Sequence, residues 1–356
     1  MKSILFTFTF LFSFHLNAKE YYLLIDHGPE SKVVAQDHFD LFKDYGRSKI
    51  FTLRKNSFFK KKFLPFFRTV SLLEVKSYFP KFSKLEAANP EIMKMISQIT
   101  EEQIHHIVSK ISSFEKRSAG TKDNRSASYW IEQEFKRLNL NTINSEFRSG
   151  ISNIIAFKKA SIKTKETILV TAHLDSVGKS FAGADDNASG IAGLLLLAKS
   201  LSSLSSRRHI VFLATNAEEN GLWGSKAYVR KMIRNQTIQN IKFVINMDMI
   251  AYNHNGIIDL ETNRPFEQTA LHMAKLAKIY TSLTPKIVMP AWGSDHVPFL
   301  KQKIPTVLTI EHWESKTPCY HSRCDLPEHL TYGYAKEVIA LNLASLIEKS
   351  QVEFKD

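Results

Sequence analysis

The feature that most limits the fold is an apolar run that ends in charged and polar side chains. Residues 168–171 are apolar or β-branched, the pattern of a strand buried on both faces, and they lead into His173 and Asp175. A short loop containing glycine then delivers Asp185 and Asp186 before a segment of helical composition. Buried acids are unfavourable unless a cation neutralises them. The stretch therefore predicts a strand–loop–helix unit that carries half of a metal site.

Similar units continue along the chain after residue 99. Strands are predicted at 153–157, 167–172, 210–215, 243–249, 257–260 and 305–310, and helices at 100–114, 122–138, 189–204, 224–233, 265–280, 295–300 and 332–349. This alternation predicts an α/β fold, a three-layer αβα sandwich with a mostly parallel central sheet. Ligands of such sheets bind beyond the carboxyl ends of the strands, where His173, Glu218 and Asp248 are expected.

The length and the N-terminus predict three regions. A chain of 356 residues can hold one large domain and a smaller one. Residues 1–18 have the positively charged N-terminal region, the apolar run and the cleavage site of a secretory signal peptide. The apolar run is too short to span a bilayer. We therefore expect a periplasmic or secreted protein without stable membrane insertion. Residues 19–97 carry no clustered His and acids and are predicted to be an accessory or pro-region before a catalytic domain at residues 98–356.

The charge of the chain suggests one further class of partner. The formal net charge is +13, and basic residues are densest at residues 54–68. Such a run can bind nucleic acid or an anionic surface, but no nucleic-acid-binding motif accompanies it. We interpret it as a solvated face and predict no nucleic-acid partner. The sequence carries no signal for an oligomeric state.

The chain has only two cysteines, Cys319 and Cys324. In an oxidising compartment a pair this close in sequence can form a disulfide that closes a tight loop. In a reducing cytosol the same pair would be two free thiols. The signal peptide favours the disulfide.

Three later segments supply the other half of the site. Glu218 and Glu219 follow the predicted strand at 210–215, Asp248 interrupts an apolar run, and His321 lies between the cysteines. Each alone has an ordinary explanation, as a surface acid, a turn-capping Asp or a core or surface histidine. Together with His173 and the Asp185–Asp186 pair, they place imidazoles and carboxylates on one edge of the predicted sheet.

Imidazole and carboxylate ligands without thiolate suit zinc better than manganese, cobalt or iron. Five ligands exceed the three of one catalytic zinc and suit two zinc ions that share a carboxylate. A remaining acid would take a proton from bound water, and the Glu218–Glu219 pair offers one ligand and one base. Asp175, on the same strand face as His173, is placed to orient that imidazole.

The segments HLDS, GADDNASG, NAEENGLWGS, INMDMI, GSDHVPF and CYHSRCD occur in this order. The ordered set resembles the M28 family of co-catalytic zinc aminopeptidases over about residues 99–349. The resemblance implies the zinc-dependent exopeptidase fold, two zinc ions per chain and removal of N-terminal residues from peptides with a free N-terminus. Residues 19–97 do not match, and several family members carry propeptides that are later removed.

The resemblance also implies a role for each site residue. It places His173 and Asp248 on one zinc, Glu219 and His321 on the other, and Asp186, rather than Asp185, between them. It makes Glu218 the general base, Asp175 the orienting acid, and Tyr320 a hydrogen-bond donor to the oxyanion of the tetrahedral intermediate.

Three other functions are compatible with parts of this pattern. Glutaminyl cyclases share similar motifs but use one zinc and form pyroglutamate without water. Carboxypeptidase-like relatives trim the other end of a peptide. A binding scaffold that had lost its metals would be expected to lack ligands, and none of the five is missing here.

Overall fold

The computed structural model describes residues 21–25, 39–45, 48–53, 67–69, 76–178 and 181–354, with side chains described from residue 76 onward. The chain divides into two compact units, Met1–Leu72 and Leu73–Asp356. The predicted signal peptide at residues 1–18 and most of the basic run at 54–68 lie outside the described residues.

The described part of the smaller unit is one antiparallel sheet. Its strands are β1 (Tyr21–Ile25), β2 (Phe39–Tyr45), β3 (Ser48–Leu53) and β4 (Phe67–Thr69). They lie side by side in the order β2-β3-β1-β4, so the first strand is central.

A nine-stranded sheet forms the centre of the larger unit. Its strands are β5 (Lys76–Tyr78), β6 (Asn141–Arg148), β7 (Ile151–Lys158), β8 (Thr167–His173), β10 (His209–Thr215), β11 (Ile241–Met247), β12 (Ile257–Glu261), β13 (Thr284–Met289) and β14 (Thr306–Glu311). Their spatial order is β5-β13-β12-β14-β11-β8-β10-β7-β6. A separate antiparallel pair joins β9 (Ser205–Ser206) to β15 (Val352–Glu353).

The predicted α/β class is confirmed, but the prediction of a mostly parallel sheet is wrong. The four central strands β14, β11, β8 and β10 are parallel, as is the β12–β13 pair, whereas the other four pairings are antiparallel. At one edge, β6 and β7 are joined by a tight turn, which can connect only antiparallel strands. Strand β6 is polar and half-exposed, so its sequence gave no apolar run to detect.

Helices cover both faces of this sheet. They are α1 (Pro90–Ser97), α2 (Glu101–Ser112), α3 (Lys122–Arg137), α4 (Gly190–Leu201), α5 (Trp223–Arg234), α6 (Glu267–Tyr280), α7 (Val297–Lys301) and α8 (Tyr332–Ser350). Alternate residues of β8 enter opposite cores: Ile168 and Val170 pack with α2, α3, α4 and α8, while Leu169 packs with α5 and α7. The layers are therefore helix, sheet and helix. Among the described residues, no helix is both long and apolar enough to cross a bilayer.

The larger unit begins earlier in the chain than the boundary predicted after residue 97. Lys76–Tyr78 pairs antiparallel with β13 as an edge strand. Helix α1 buries Ile92 and Ile96 in the main core, after Asn89 caps its first turn. Both segments were predicted to lie in the accessory region. That the N-terminal region is a pro-region stays a prediction.

Candidate metal centre

The carboxyl ends of the parallel strands bring the predicted site residues to one edge of the sheet. His173 ends β8, Glu218 and Glu219 follow β10, and Asp248 follows β11. Since these strands are parallel neighbours, their ends meet at the same edge. Asp186 joins them from the turn before α4, Ala184–Ser189.

Asp186 lies between two histidines. Its Oδ1 is 3.1 Å from His173 Nε2, and its Oδ2 is 3.2 Å from His321 Nε2. Asp248 Oδ1 is 3.4 Å from the same nitrogen of His173, and Glu219 Oε2 is 3.2 Å from the same nitrogen of His321. The structure thus brings all five predicted ligands together.

Three sets of ligand atoms lie close enough together to hold a cation: His173, Glu218 and Glu219 form one, and the other two share Asp186. We call His173, Asp186 and Asp248 the first group, and Asp186, Glu219 and His321 the second group; the ligand atoms in each lie within 4.8 Å of one another. Within the described residues, Glu219 Oε1 and Asp248 Oδ1 are buried oxygens that accept no hydrogen bond. Imidazole with carboxylate is a donor set that zinc accepts, and the shared Asp186 belongs to both groups. The residues present therefore fit zinc.

The electrostatics of the site also favour cations. Burial raises the pKa of Glu219 to about 7, and the neighbouring Asp186 charge adds to the rise. For Glu218, burial raises the pKa well above its ordinary value; repulsion from Glu219 and Asp248 adds to this, and His173 opposes it.

The pKa values of the shared carboxyl group, Asp186, and of the histidines that contact it shift in the opposite direction. Burial alone would raise the pKa of Asp186, but the bonds from His173 and His321 outweigh it and hold that pKa low. Burial would lower the pKa of His321, but its bonds to Asp186 and Glu219 raise it to about 10. Acids that resist ionisation beside an imidazole that retains its proton indicate a strongly negative potential, which bound metal ions would neutralise.

Asp175 contacts more than the imidazole that it was predicted to orient. Its Oδ1 lies 3.6 Å from His173 Nδ1, a longer contact than the 3.1 Å between that nitrogen and the backbone carbonyl of Asp175. The same carboxylate accepts the backbone N–H groups of Glu218 and Glu219, at 3.1 and 3.2 Å. Asp175 is fully buried, so it fixes the backbone that presents both glutamates.

The predicted disulfide between Cys319 and Cys324 is confirmed. It closes the loop that carries Tyr320 and His321. The Tyr320 ring stacks on the His321 imidazole at 3.8 Å between centroids and meets Trp313 edge-on. His321 itself has φ of +53°, an uncommon conformation for a residue with a side chain. The role of Tyr320 as an oxyanion donor stays a prediction.

We expect loss of the disulfide to weaken the second group. Without the covalent closure, His321 can relax from its left-handed conformation and leave Glu219 and Asp186. The double variant Cys319→Ser and Cys324→Ser should bind metal at the second group about 10-fold more weakly, at the lower end of effects seen when a ligand loses its support.

Zinc retention against a chelator, with and without mild reductant, measures this effect. Reductant should weaken retention by the wild type and leave the double variant unchanged, because the variant has no disulfide to reduce. Equal retention by the wild type and the double variant would contradict the prediction.

Sequence reasoning missed several residues that shape the site. Asp185, which the resemblance set aside in favour of Asp186, belongs to neither group, and its Oδ1 accepts the backbone N–H of Ala251 at 2.9 Å. Asn187 donates to the Met247 carbonyl at 3.0 Å and so ties the turn to the end of β11. Asp325 lies within the CYHSRCD segment but received no role, and Arg117 lies in no motif.

A mixed α/β sheet with two imidazole–carboxylate groups at its carboxyl edge defines an α/β protein with a candidate two-metal centre. The model of peptidase family M28 matches residues 153–346, more than half of the chain. The chain belongs to this family, and the predicted resemblance is confirmed.

Sequence relatives carry peptidase names. The chain is 32% identical over 214 residues to aminopeptidase YwaD of Bacillus subtilis, a match that covers 57% of this chain and 46% of the relative. It is 25% identical over 339 residues to a probable zinc metalloprotease of Leptosphaeria maculans, covering 74% of this chain and 78% of the relative. The chain thus spans about half the length of the Bacillus relative.

Solved structures show the same fold. The Legionella pneumophila LapA aminopeptidase superposes with a TM-score of 0.70 at 18% identity, covering 95% of this chain and 100% of that one. A glutaminyl cyclase of Bacteroides thetaiotaomicron superposes with a TM-score of 0.58 at 20% identity, covering 69% and 97%. At these identities the likeness concerns the fold alone.

Proposed function

We propose that this chain is an exported zinc aminopeptidase that removes N-terminal residues from peptides with a free N-terminus. The observation that carries the proposal is the position of Asp186, whose two oxygens face His173 and His321 at 3.1 and 3.2 Å. Membership of peptidase family M28 and relatives named aminopeptidase and zinc metalloprotease support the same reaction.

The two ligand groups would hold two zinc ions per chain. The first group, with His173 and Asp248, and the second group, with Glu219 and His321, would share Asp186. Zinc in such a site lowers the pKa of bound water and polarises a carbonyl. The five ligands are fixed by strand ends, by the turn before α4 and by the disulfide-closed loop, so their donor atoms are preorganised.

Glu218 would act as the general base. It belongs to neither of the two groups that share Asp186, although it forms a third set with His173 and Glu219, whose ligand atoms lie within 4.8 Å of one another. Its backbone N–H donates to the carboxylate of Asp175, which fixes the position of the Glu218 backbone. A carboxylate at this position can take a proton from the attacking water and give it to the leaving amine. Tyr320, next to His321, would donate to the developing oxyanion.

Two features of the N-terminus belong to the same proposal. Residues 1–18 would direct export to the periplasm or beyond, and residues 19–97 would serve as an accessory or pro-region. The cysteine pair, which is disulfide-bonded, suits an oxidising compartment.

The experiment is the release of aminoacyl-anilides by purified protein lacking residues 1–18, together with zinc per chain. We expect two zinc ions and release from unblocked substrates only, abolished by a chelator and restored by zinc. N-acetylated anilides are the matched control, because they keep the scissile bond and lose the free amine. Pyroglutamate formation with one zinc, or trimming from the C-terminus, would overturn the proposal in favour of the cyclase or the carboxypeptidase.

A further inference from the structure

The turn that carries Asp186 is buried but irregular. Residues 184–187 are all buried, and Asp186 and Asn187 have φ/ψ values of −105°/85° and −137°/44°, outside the helical range. Backbone groups in such a segment cannot all bond to one another as they do in a helix, and buried N–H groups require partners. The position of the Asp186 carboxylate therefore depends on whatever holds this backbone.

Asp325 accepts hydrogen bonds from three successive backbone N–H groups of the turn. Its Oδ1 receives the N–H of Asp185 at 2.7 Å, its Oδ2 receives that of Asp186 at 3.0 Å, and its carbonyl receives that of Ala184 at 3.3 Å. Asp325 is 3% exposed and directly follows Cys324, which closes the loop that carries His321. It therefore connects the backbone of the shared ligand Asp186 to the loop that carries His321, the histidine of the second group.

Arg117 holds the residues that directly precede the same turn. It is fully buried and donates to the carbonyl of Gly183 at 2.9 Å and to that of Ala182. It also donates to the carbonyl of Leu174 at 3.0 Å, between His173 and Asp175. Arg117 thus connects the turn to the strand end that carries the first group.

Little space surrounds the Arg117 guanidinium. Gly183 has φ of +55°, and a Cβ there would lie 2.4 Å from the Asp186 carbonyl oxygen and 2.9 Å from the guanidinium. Burial lowers the pKa of Arg117 to about 10, partly offset by Asp325 and Asp175, so the side chain is charged at neutral pH. A fixed cation beside the acids also limits their mutual repulsion.

We propose that Asp325 and Arg117 are positioning residues that set the shared carboxylate of Asp186 against its two groups. Asp325 aligns it with the second group, through the His321 loop, and Arg117 aligns it with the first group, through residue 174. The inference rests on the proposed function, since it assumes that the two groups bind metal.

The test uses crossed variants and measures zinc binding rather than turnover. Asp325→Asn keeps the size of the side chain but replaces one accepting oxygen with an NH₂ group, so one backbone N–H group of the turn loses its acceptor. It should weaken zinc at the second group about 10- to 100-fold and at the first by less than about 3-fold, as for lost ligand supports elsewhere. Arg117→Lys keeps the charge and loses the fork of donors. It should weaken the first group more than the second.

Stepwise removal of zinc by a chelator series resolves the two sites in the full protein. His321→Ala and Asp248→Ala, each lacking one ligand, identify which step belongs to which group. Asp259→Asn is the matched control, because Asp259 is 2% exposed, accepts the backbone N–H of Trp313 at 3.1 Å and belongs to neither group. Thermal unfolding of each metal-free variant reports stability separately.

Equal weakening of both groups by each variant, or the same weakening by Asp259→Asn, would overturn the positioning roles and leave a structural role only. If Asp325→Asn does not fold, Arg117→Lys decides the matter. A ratio of first-group to second-group zinc affinity in this variant that equals the wild-type ratio overturns the proposal. A wild type that binds two zinc ions but cleaves no peptide substrate overturns the proposed function instead, and the crossed losses of zinc still test the positioning.

Discussion

Replacement of Glu218 by Gln is expected to lower kcat by about 10²- to 10⁴-fold, the usual range for loss of a general base. The amide has nearly the same shape, so the contact of the Glu218 backbone with Asp175 persists. It cannot accept a proton, however, and the attacking water loses its base. Glu218 lies outside the two groups that share Asp186, and a glutamine keeps an oxygen in the third set, with His173 and Glu219, so zinc content and KM should change little.

Glu219→Gln is the matched comparison, since it makes the same substitution one residue later. Glu219 Oε2 lies 3.2 Å from His321 Nε2 within the second group, so its loss should release one zinc ion as well as activity. Steady-state hydrolysis of an unblocked anilide, with zinc measured on the same samples, separates the two outcomes. Wild-type kcat in Glu218→Gln, or loss of zinc from that variant, would contradict the assigned role.

The ligand residues could be found from the sequence because each follows its own local pattern. His173 ends a run of buried strand residues, Asp248 interrupts another, and Glu218 and Glu219 follow a third. An acid directly after an apolar strand is unusual enough to be noticed without knowing its neighbours. Parallel pairing of the central strands then places these ends together, and the structure has that pairing.

The features that were missed depend on contacts with other segments rather than on a local pattern. Strand β6 is stabilised by its antiparallel partner β7 rather than by an apolar run of its own, so periodicity could not detect it. Arg117 looks like an ordinary surface arginine in sequence and is fully buried because carbonyls from three segments surround it. Asp325 acts on a backbone far away in sequence. Nothing local in the chain marks Arg117, and the CYHSRCD segment that contains Asp325 does not reveal its contacts with the turn.

Replacement of Asp186 by Asn should remove zinc from both groups at once. In the wild type, one oxygen of Asp186 faces His173 and the other faces His321. An amide carries no charge and offers one oxygen instead of two, so it cannot serve as a ligand in both groups. Each group would retain only two ionised or imidazole ligands of its own. We expect zinc affinity to fall by more than about 100-fold at both sites, beyond the range for a supporting residue.

Asp185→Asn provides a matched control at the adjacent position. Asp185 is also buried, but its Oδ1 accepts the backbone N–H of Ala251, and an amide oxygen can do the same. That variant should therefore keep both zinc ions, and any loss of stability should appear in its thermal unfolding alone. Equilibrium zinc content and chelator titration of the two variants decide the matter. One zinc ion held at wild-type affinity in Asp186→Asn would mean that Asp186 serves a single group, whereas loss of both ions from Asp185→Asn alone would identify Asp185 as the shared ligand.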